Sequence, residues 1–128
     1  TLLGFTVAVL AVYHQNQGTA SIWVWLILTS VFWFDATVTL VRRFLNKERL
    51  SEAHRKHAYQ RIVQSGFSHQ RTTMSSIVLN VVGLGFAWLA CRYTSFAILF
   101  LLIDLLILWM VLRFIDKRRP FEYNFLRR

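Results

Sequence analysis

Thr72–Cys91 reads TTMSSIVLNVVGLGFAWLAC, twenty consecutive residues without a charge. A helix of that length reaches about 30 Å at roughly 1.5 Å per residue, which matches the hydrocarbon core of a bilayer. A second run of this kind follows almost at once, TSFAILFLLIDLLILWMVL over Thr94–Leu112, with Asp104 as its one charge. Ala20–Val41 is a third, and its one charge is Asp35. Backbone N–H and C=O groups in lipid must be satisfied within the segment, and none of these unbroken runs alternates as a barrel strand would. The sequence therefore predicts an all-α integral membrane protein, a helical transmembrane bundle.

Working outward, Thr1–Tyr13 is also apolar, but as a helix it reaches only about 20 Å. With no initiator Met in front of it, it reads as a truncated span, and the chain as a carboxy-terminal fragment of something longer. No basic stretch precedes the run, which argues against a signal peptide. The whole of 1–128 is taken as one transmembrane domain. Its spans lie at about 1–13, 20–41, 72–91 and 94–112, joined by a loop at 42–71 and ending in a basic tail at 113–128. Composition agrees, since 55% of the residues are hydrophobic and 16% charged, against about 25% charged in a soluble domain. Five Gly and one Pro are too few for a disordered or collagen-like chain. The single cysteine, Cys91, excludes an internal disulfide and a thiolate metal site.

Lys and Arg set the orientation. The segment Arg42–Arg71 holds eight of them against Glu48 and Glu52, and the tail from Arg113 holds six against Asp116 and Glu122. The connection Tyr13–Thr19 has none, and the turn Cys91–Ser95 has Arg92 alone. The positive-inside rule places both basic segments in the cytoplasm, and the two spans between them return the chain to the same side. Tyr13, Trp23, Trp25 and Tyr93 then fall at the outer interface, with Trp109 and Phe114 at the inner one. Trp33 and Trp88 lie deeper and are read as packing residues. Gly83, Gly85, Ala87 and Ala90 would let a neighbouring helix approach closely.

The polar loop is too long for a tight connection. A helix is expected over Lys47–Gln64, ended by Gly66. Leu50, His54, His57 and Arg61 recur on it at spacings of four, three and four, which puts two imidazoles and a guanidinium on one face. Glu48, Glu52 and Lys56 run down another face as local ion-pair support. Three uses of the first face stay open: attraction to anionic lipid headgroups, metal binding by His54 and His57, and recognition of phosphate by imidazole and guanidinium donors beside Tyr59 and Gln60. Asp104, near mid-span, should face other helices and either pair with a polar group such as Asn80 or be protonated.

Phe34–Thr73, FDATVTLVRRFLNKERLSEAHRKHAYQRIVQSGFSHQRTT, resembles the last large cytoplasmic loop of the bacterial polyprenyl-phosphate sugar-1-phosphate transferases, the membrane glycosyltransferase family 4 type. That pattern has an Asp-Thr near the end of a span, an Arg pair, then Asp-Arg-x-His-x-His-His-Arg, then Gly-hydrophobic-Ser. Asp35, Arg42–Arg43 and Gly66-Phe67-Ser68 stand in the corresponding places. Arg55, His57 and Arg61 match the central motif, whereas His54 replaces its Asp and Tyr59-Gln60 its His-His. The variant is similar to the branch that starts O-antigen and related surface polysaccharides in the bacterial inner membrane.

The resemblance implies transfer of a sugar-1-phosphate from a UDP-sugar, carrying N-acetylglucosamine or an N-acetylated deoxyhexose, to undecaprenyl phosphate with release of UMP. It implies His57 as catalytic residue and diphosphate ligand, Arg55 and Arg61 as phosphate or uridine contacts, and His54, Tyr59 and Gln60 as the sugar pocket. Asp35, Arg42 and Arg43 would orient the loop. It implies Mg²⁺ as cofactor, with its ligands in earlier cytoplasmic loops and none in this chain, so that the chain alone should be inactive. Expected partners are the two substrates and membrane lipid, with no nucleic acid; a homodimer is left open. Two other classes remain, a non-catalytic anchor or assembly subunit that binds anionic lipid through its basic loop, and a transporter segment with Asp104 as its ion or proton site.

Overall fold

The computed structural model describes residues 2–49 and 56–121. All of its regular elements are helical: α1 Leu2–Asn16, α2 Ile22–Leu28, α3 Ser30–Leu45, α4 Ala58–Gln64, α5 His69–Arg92, a 3₁₀ turn at Thr94–Phe96, and α6 Ala97–Arg118. Among the described residues α5 and the stretch Thr94–Arg118 are each long and apolar enough to cross a membrane. The protein is an all-α membrane protein.

The core lies where the C-terminal half of α5 and the N-terminal half of α6 meet α2. Val24 and Ile27 of α2 pack on Ala87 and Ala90 of α5 and on Ala97 and Leu101 of α6. Helices in lipid gain nothing from burying apolar surface as such, so close approach through small side chains supplies the contact. Ala90 and Ala97 are completely buried, and Gly83 is buried with them. Gly85 is exposed with open space beside it, so it takes no part in this packing.

The segment Ala20–Val41, expected as one straight span, is broken. Helices α2 and α3 meet at Thr29 with a bend of 75°. Each half is held across the break by side chains whose role is local. Trp33 Nε1 donates to Leu26 O at 2.9 Å, a carbonyl at the end of α2, and Thr29 Oγ1 adds a second donor at 2.8 Å to Trp25 O, which already accepts from Thr29 N. Trp33 is thus the staple of the break.

The loop also departs from expectation. A continuous helix over Lys47–Gln64 does not form, because Lys47 takes a left-handed backbone (φ 55°) directly after α3 and Glu48–Arg49 are non-helical. Lys56 and His57 are non-helical as well, and α4 begins at Ala58 with His57 as its N-cap. Of the predicted face, His57 and Arg61 are among the described residues, and only Arg61 lies within a helix. Leu50, Glu52, His54 and Arg55 lie outside the described residues. The turn from α4 to α5 uses Gly66 at φ 100°, a conformation that a side chain would strain. Ser68 then caps α5 by accepting from Arg71 N.

Candidate active site

Asp35 lies on α3, a little over one turn beyond the break, and its carboxylate gathers the start of α4. Oδ2 is 3.2 Å from His57 Nδ1, and Oδ1 accepts from Ala58 N at 2.9 Å and Thr39 Oγ1 at 3.3 Å. Asp35 thus meets the start of α4 through His57 and the first N–H of that helix. A carboxylate at a helix N-terminus also meets the positive end of the helix dipole. With Nδ1 turned to Asp35, Nε2 is the ring nitrogen on the far side from that carboxylate. Gln60 completes the arrangement from within α4, its Oε1 accepting from His57 N at 3.3 Å. The Tyr59 ring lies nearly parallel to that of His57, at 18° with centroids 6.2 Å apart.

Asp35, His57 and Tyr59 line a groove of about 970 Å³ between α3, α4, α5 and α6. Most of its wall is apolar, from residues such as Phe32, Leu79, Leu108 and Leu112. Thr72, Ser75, Ser76 and Asn80 of α5 make one more polar side. Their donors return to their own helix: Ser75 to Arg71 O, Ser76 to Thr72 O, and Asn80 to Ser76 O. Lone pairs on these atoms remain for a ligand. Asn80 therefore does not pair with Asp104. The i, i+4, i+8 spacing of Thr72, Ser76 and Asn80 is readable in the sequence and was the signal for this polar stripe.

Two further clusters hold the loop in place. Asp116, near the end of α6, receives both terminal nitrogens of Arg42, at 2.9 and 2.7 Å, and Arg61 Nη2 at 2.5 Å. Arg61 Nη2 also reaches Arg119 O, and Phe121 lies beneath the guanidinium groups of Arg42 and Arg61 and the Lys56 ammonium, 5.4–5.6 Å from each. The Arg61 side chain is 5% exposed and does not line the groove. Arg43 donates to Glu48 and to Arg49 O, and Glu48 also receives Lys56 and Asn46. Glu48 and Lys56, expected in succession on one helix face, instead meet directly from non-helical backbone. Sequence reading missed Asp116 as the partner of both arginines; an acid inside a basic tail was the available signal.

Burial pushes the Glu48 carboxyl up, but hydrogen bonds from Lys56, Asn46 and Arg43 and the Lys56 charge outweigh it and hold the group below its ordinary 4.5. The sign follows for a carboxyl depressed on folding. Its contribution is fully present above 4.5 and disappears as the pH falls through the folded-state value. Proteolysis of the loop should accelerate as the pH is taken from 6 to about 3. Glu48→Gln should be fast at both ends and show no such step.

Among the described residues no three of His, Cys, Asp and Glu come together as metal ligands. Asp35, Glu48 and Asp116 are engaged by His57, by Lys56 with Arg43, and by the arginine pair, while Asp104 is buried within the bundle. Among the described residues these four carboxylates do not converge as a Mg²⁺ centre would require.

An imidazole fixed by a carboxylate at the mouth of an apolar intramembrane groove can serve an anionic headgroup on a long apolar chain. The chain is similar to a transferase. It is 28% identical, over an alignment of 129 positions, to the protein of Bacillus subtilis (strain 168) named "Probable undecaprenyl-phosphate N-acetylglucosaminyl 1-phosphate transferase". The alignment covers 93% of this chain and 35% of that protein, so the chain spans about a third of its relative's length. No protein-family model and no solved structure matches the chain.

Proposed function

We propose that these residues form the loop and lipid groove of a membrane sugar-1-phosphate transferase, working as part of a longer chain. The observation that carries the reading is the position of the Asp35–His57 pair at the polar end of an otherwise apolar groove. The groove would take the first isoprene units of undecaprenyl phosphate, with the phosphate at His57 Nε2. The second substrate would be a UDP-sugar, with N-acetylglucosamine the first sugar to try on the strength of the relative's name.

In this reading an oxygen of the lipid phosphate attacks the β-phosphorus of the UDP-sugar. The bond from that phosphorus to the oxygen bridging the two phosphates breaks, and UMP leaves. Transfer of this kind depends on position and charge neutralisation. His57 supplies a hydrogen bond from Nε2 when protonated, and can pass that proton to a departing phosphate oxygen. Asp35 fixes the ring so that Nε2 meets the groove. Tyr59, beside the ring, would pack on the sugar, and His54 and Arg55 would complete the nucleotide-sugar side. Arg61 holds α4 in place through Asp116. Mg²⁺, if the reaction uses it, would take its ligands from other cytoplasmic segments.

In this reading the mouth opens on the cytoplasmic side of the bacterial inner membrane, an orientation that the positive charge of both flanking segments supports. The product would start O-antigen or another surface polysaccharide. The test is UMP release by the full-length protein in lipid nanodiscs, with UDP-N-acetylglucosamine and with or without undecaprenyl phosphate. Release that requires both the lipid and Mg²⁺ is the expected result. No release with any UDP-sugar while the protein binds anionic vesicles would replace the enzyme with a lipid-binding anchor.

A further inference from the structure

One ionisable group has no part in that chemistry. Asp104 is 2% exposed near the middle of α6, and its Oδ2 has no hydrogen-bond partner. Ser30, the first residue of α3, is 1% exposed, and its Oγ is unpartnered as well. Ser30 is the side-chain hydroxyl beside the Asp104 carboxyl, and in this geometry its Oγ makes no hydrogen bond. Gly83 of α5 bounds the third side. A Cβ there would lie 3.7 Å from Asp104 Oδ1 and 3.6 Å from Ile27 O. The carboxyl sits where α2 ends, α3 begins, and α5 and α6 pass.

That point is the break in the α2–α3 span. A helix interrupted inside a membrane releases backbone groups that lipid cannot satisfy. At the α2 end the Trp33 indole answers for Leu26 O, and the Thr29 hydroxyl reinforces the backbone bond to Trp25 O. At the α3 end, Thr29 O accepts from Phe32 N and Trp33 N, but no side chain on the helix's own strand of sequence caps it, because the Thr29 hydroxyl is turned back toward α2. A 16-residue helix thus starts in a buried site with the positive end of its dipole uncapped. Asp104 brings an unpaired acceptor to its first residue.

We propose that Asp104 is a positioning residue whose carboxyl, with the Ser30 hydroxyl, caps the start of α3 and fixes the angle at which α3 delivers Asp35 to His57. Ser30 and Asp35 are five residues apart on one helix, roughly 7.5 Å, so a change of angle at the break moves the Asp35–His57 pair against the groove. The carboxyl acts as a polar acceptor at the start of α3 and not through its charge. The effect on catalysis rests on the transferase reading; the effect on the helix angle does not.

The test uses the full-length protein with Cys91, a free exposed cysteine, replaced by serine. Spin labels go on Phe44→Cys of α3 and Val81→Cys of α5, both more than half exposed and outside the groove lining. Asp104→Asn keeps a carbonyl acceptor and should give the parent distance distribution and UMP release. Asp104→Leu should broaden and shift the distribution and lower kcat by about 10²-fold through misplacement of the reacting groups. Should the leucine variant fail to fold, Ser30→Ala removes a single hydroxyl and should move the same two readouts in the same direction. Unchanged distances in these variants overturn the cap, as does an asparagine variant as damaged as leucine, which would make the node an ion or proton site. A shifted distance in a protein that releases no UMP overturns the transferase reading and leaves the cap standing.

Discussion

His57→Ala in the full-length protein will lower UMP release by about 10²- to 10³-fold, the range of a positioned proton donor or acceptor. The geometry makes a sharper statement about its partner. Asp35 accepts from His57 Nδ1, Ala58 N and Thr39 Oγ1. Asparagine in its place has one carbonyl oxygen for three donors and turns an N–H toward one of them. Asp35→Asn should therefore free the imidazole to rotate and cost about 10-fold or more, with the lipid KM little changed if the groove wall is intact. Because Asp35 acts through His57, the two losses should not add. The Asp35→Asn/His57→Ala double variant should be no slower than His57→Ala alone. Activity losses that multiply across the two sites would mean that Asp35 touches substrate itself, and an active His57→Ala protein would remove the imidazole from the reaction.

How far this arrangement was readable in advance depends on the range of the interaction. Continuous apolar runs such as Thr72–Cys91 announce membrane helices because the bilayer dictates their length. Gly66 and Ser68 announce the turn into α5 because a positive φ and a helix cap each select a residue type. The break at Thr29 carries no Pro or Gly and is invisible in Ala20–Val41, since it is stabilised by a Thr hydroxyl, a Trp indole and groups on other helices. The loop helix was overextended for a related reason. Glu48, Glu52 and Lys56 stand at helical spacing, yet the cations Arg43 and Lys56 and the amide of Asn46 wrap Glu48 into a non-helical turn. Local spacing suggested the helix, and tertiary hydrogen bonds decided against it. His57 and Asp35 were each singled out from sequence, but their pairing across 22 positions depends on the angle of α3 and needed coordinates.

The second large effect concerns Asp116. Its carboxylate is the common partner of Arg42, 13% exposed, and Arg61, 5% exposed. Asp116→Ala leaves two guanidinium groups facing each other with little water to screen them. Breaking one side of a buried ion pair costs about 3–5 kcal/mol, against a median near 1 kcal/mol or less for exposed pairs. The expected result is a large drop in the thermal midpoint of the detergent-solubilised protein and rapid proteolysis between α3 and α5, because Arg61 ties α4 to the end of α6. The triple variant Asp116→Leu with Arg42→Met and Arg61→Met removes every charge together and should recover most of the stability, since the cost lies in the unpaired ions and not in the loss of the bridge. Recovery of UMP release along with stability would show that both arginines only hold α4, and with it His57, in place. If stability returns and activity does not, one of the two guanidinium groups leaves Asp116 during turnover to meet a phosphate. A single Asp116→Ala variant as stable as the parent would mean that cations beside Phe121 already share their charge with the ring and with solvent, and that α4 is held by Asp35 alone.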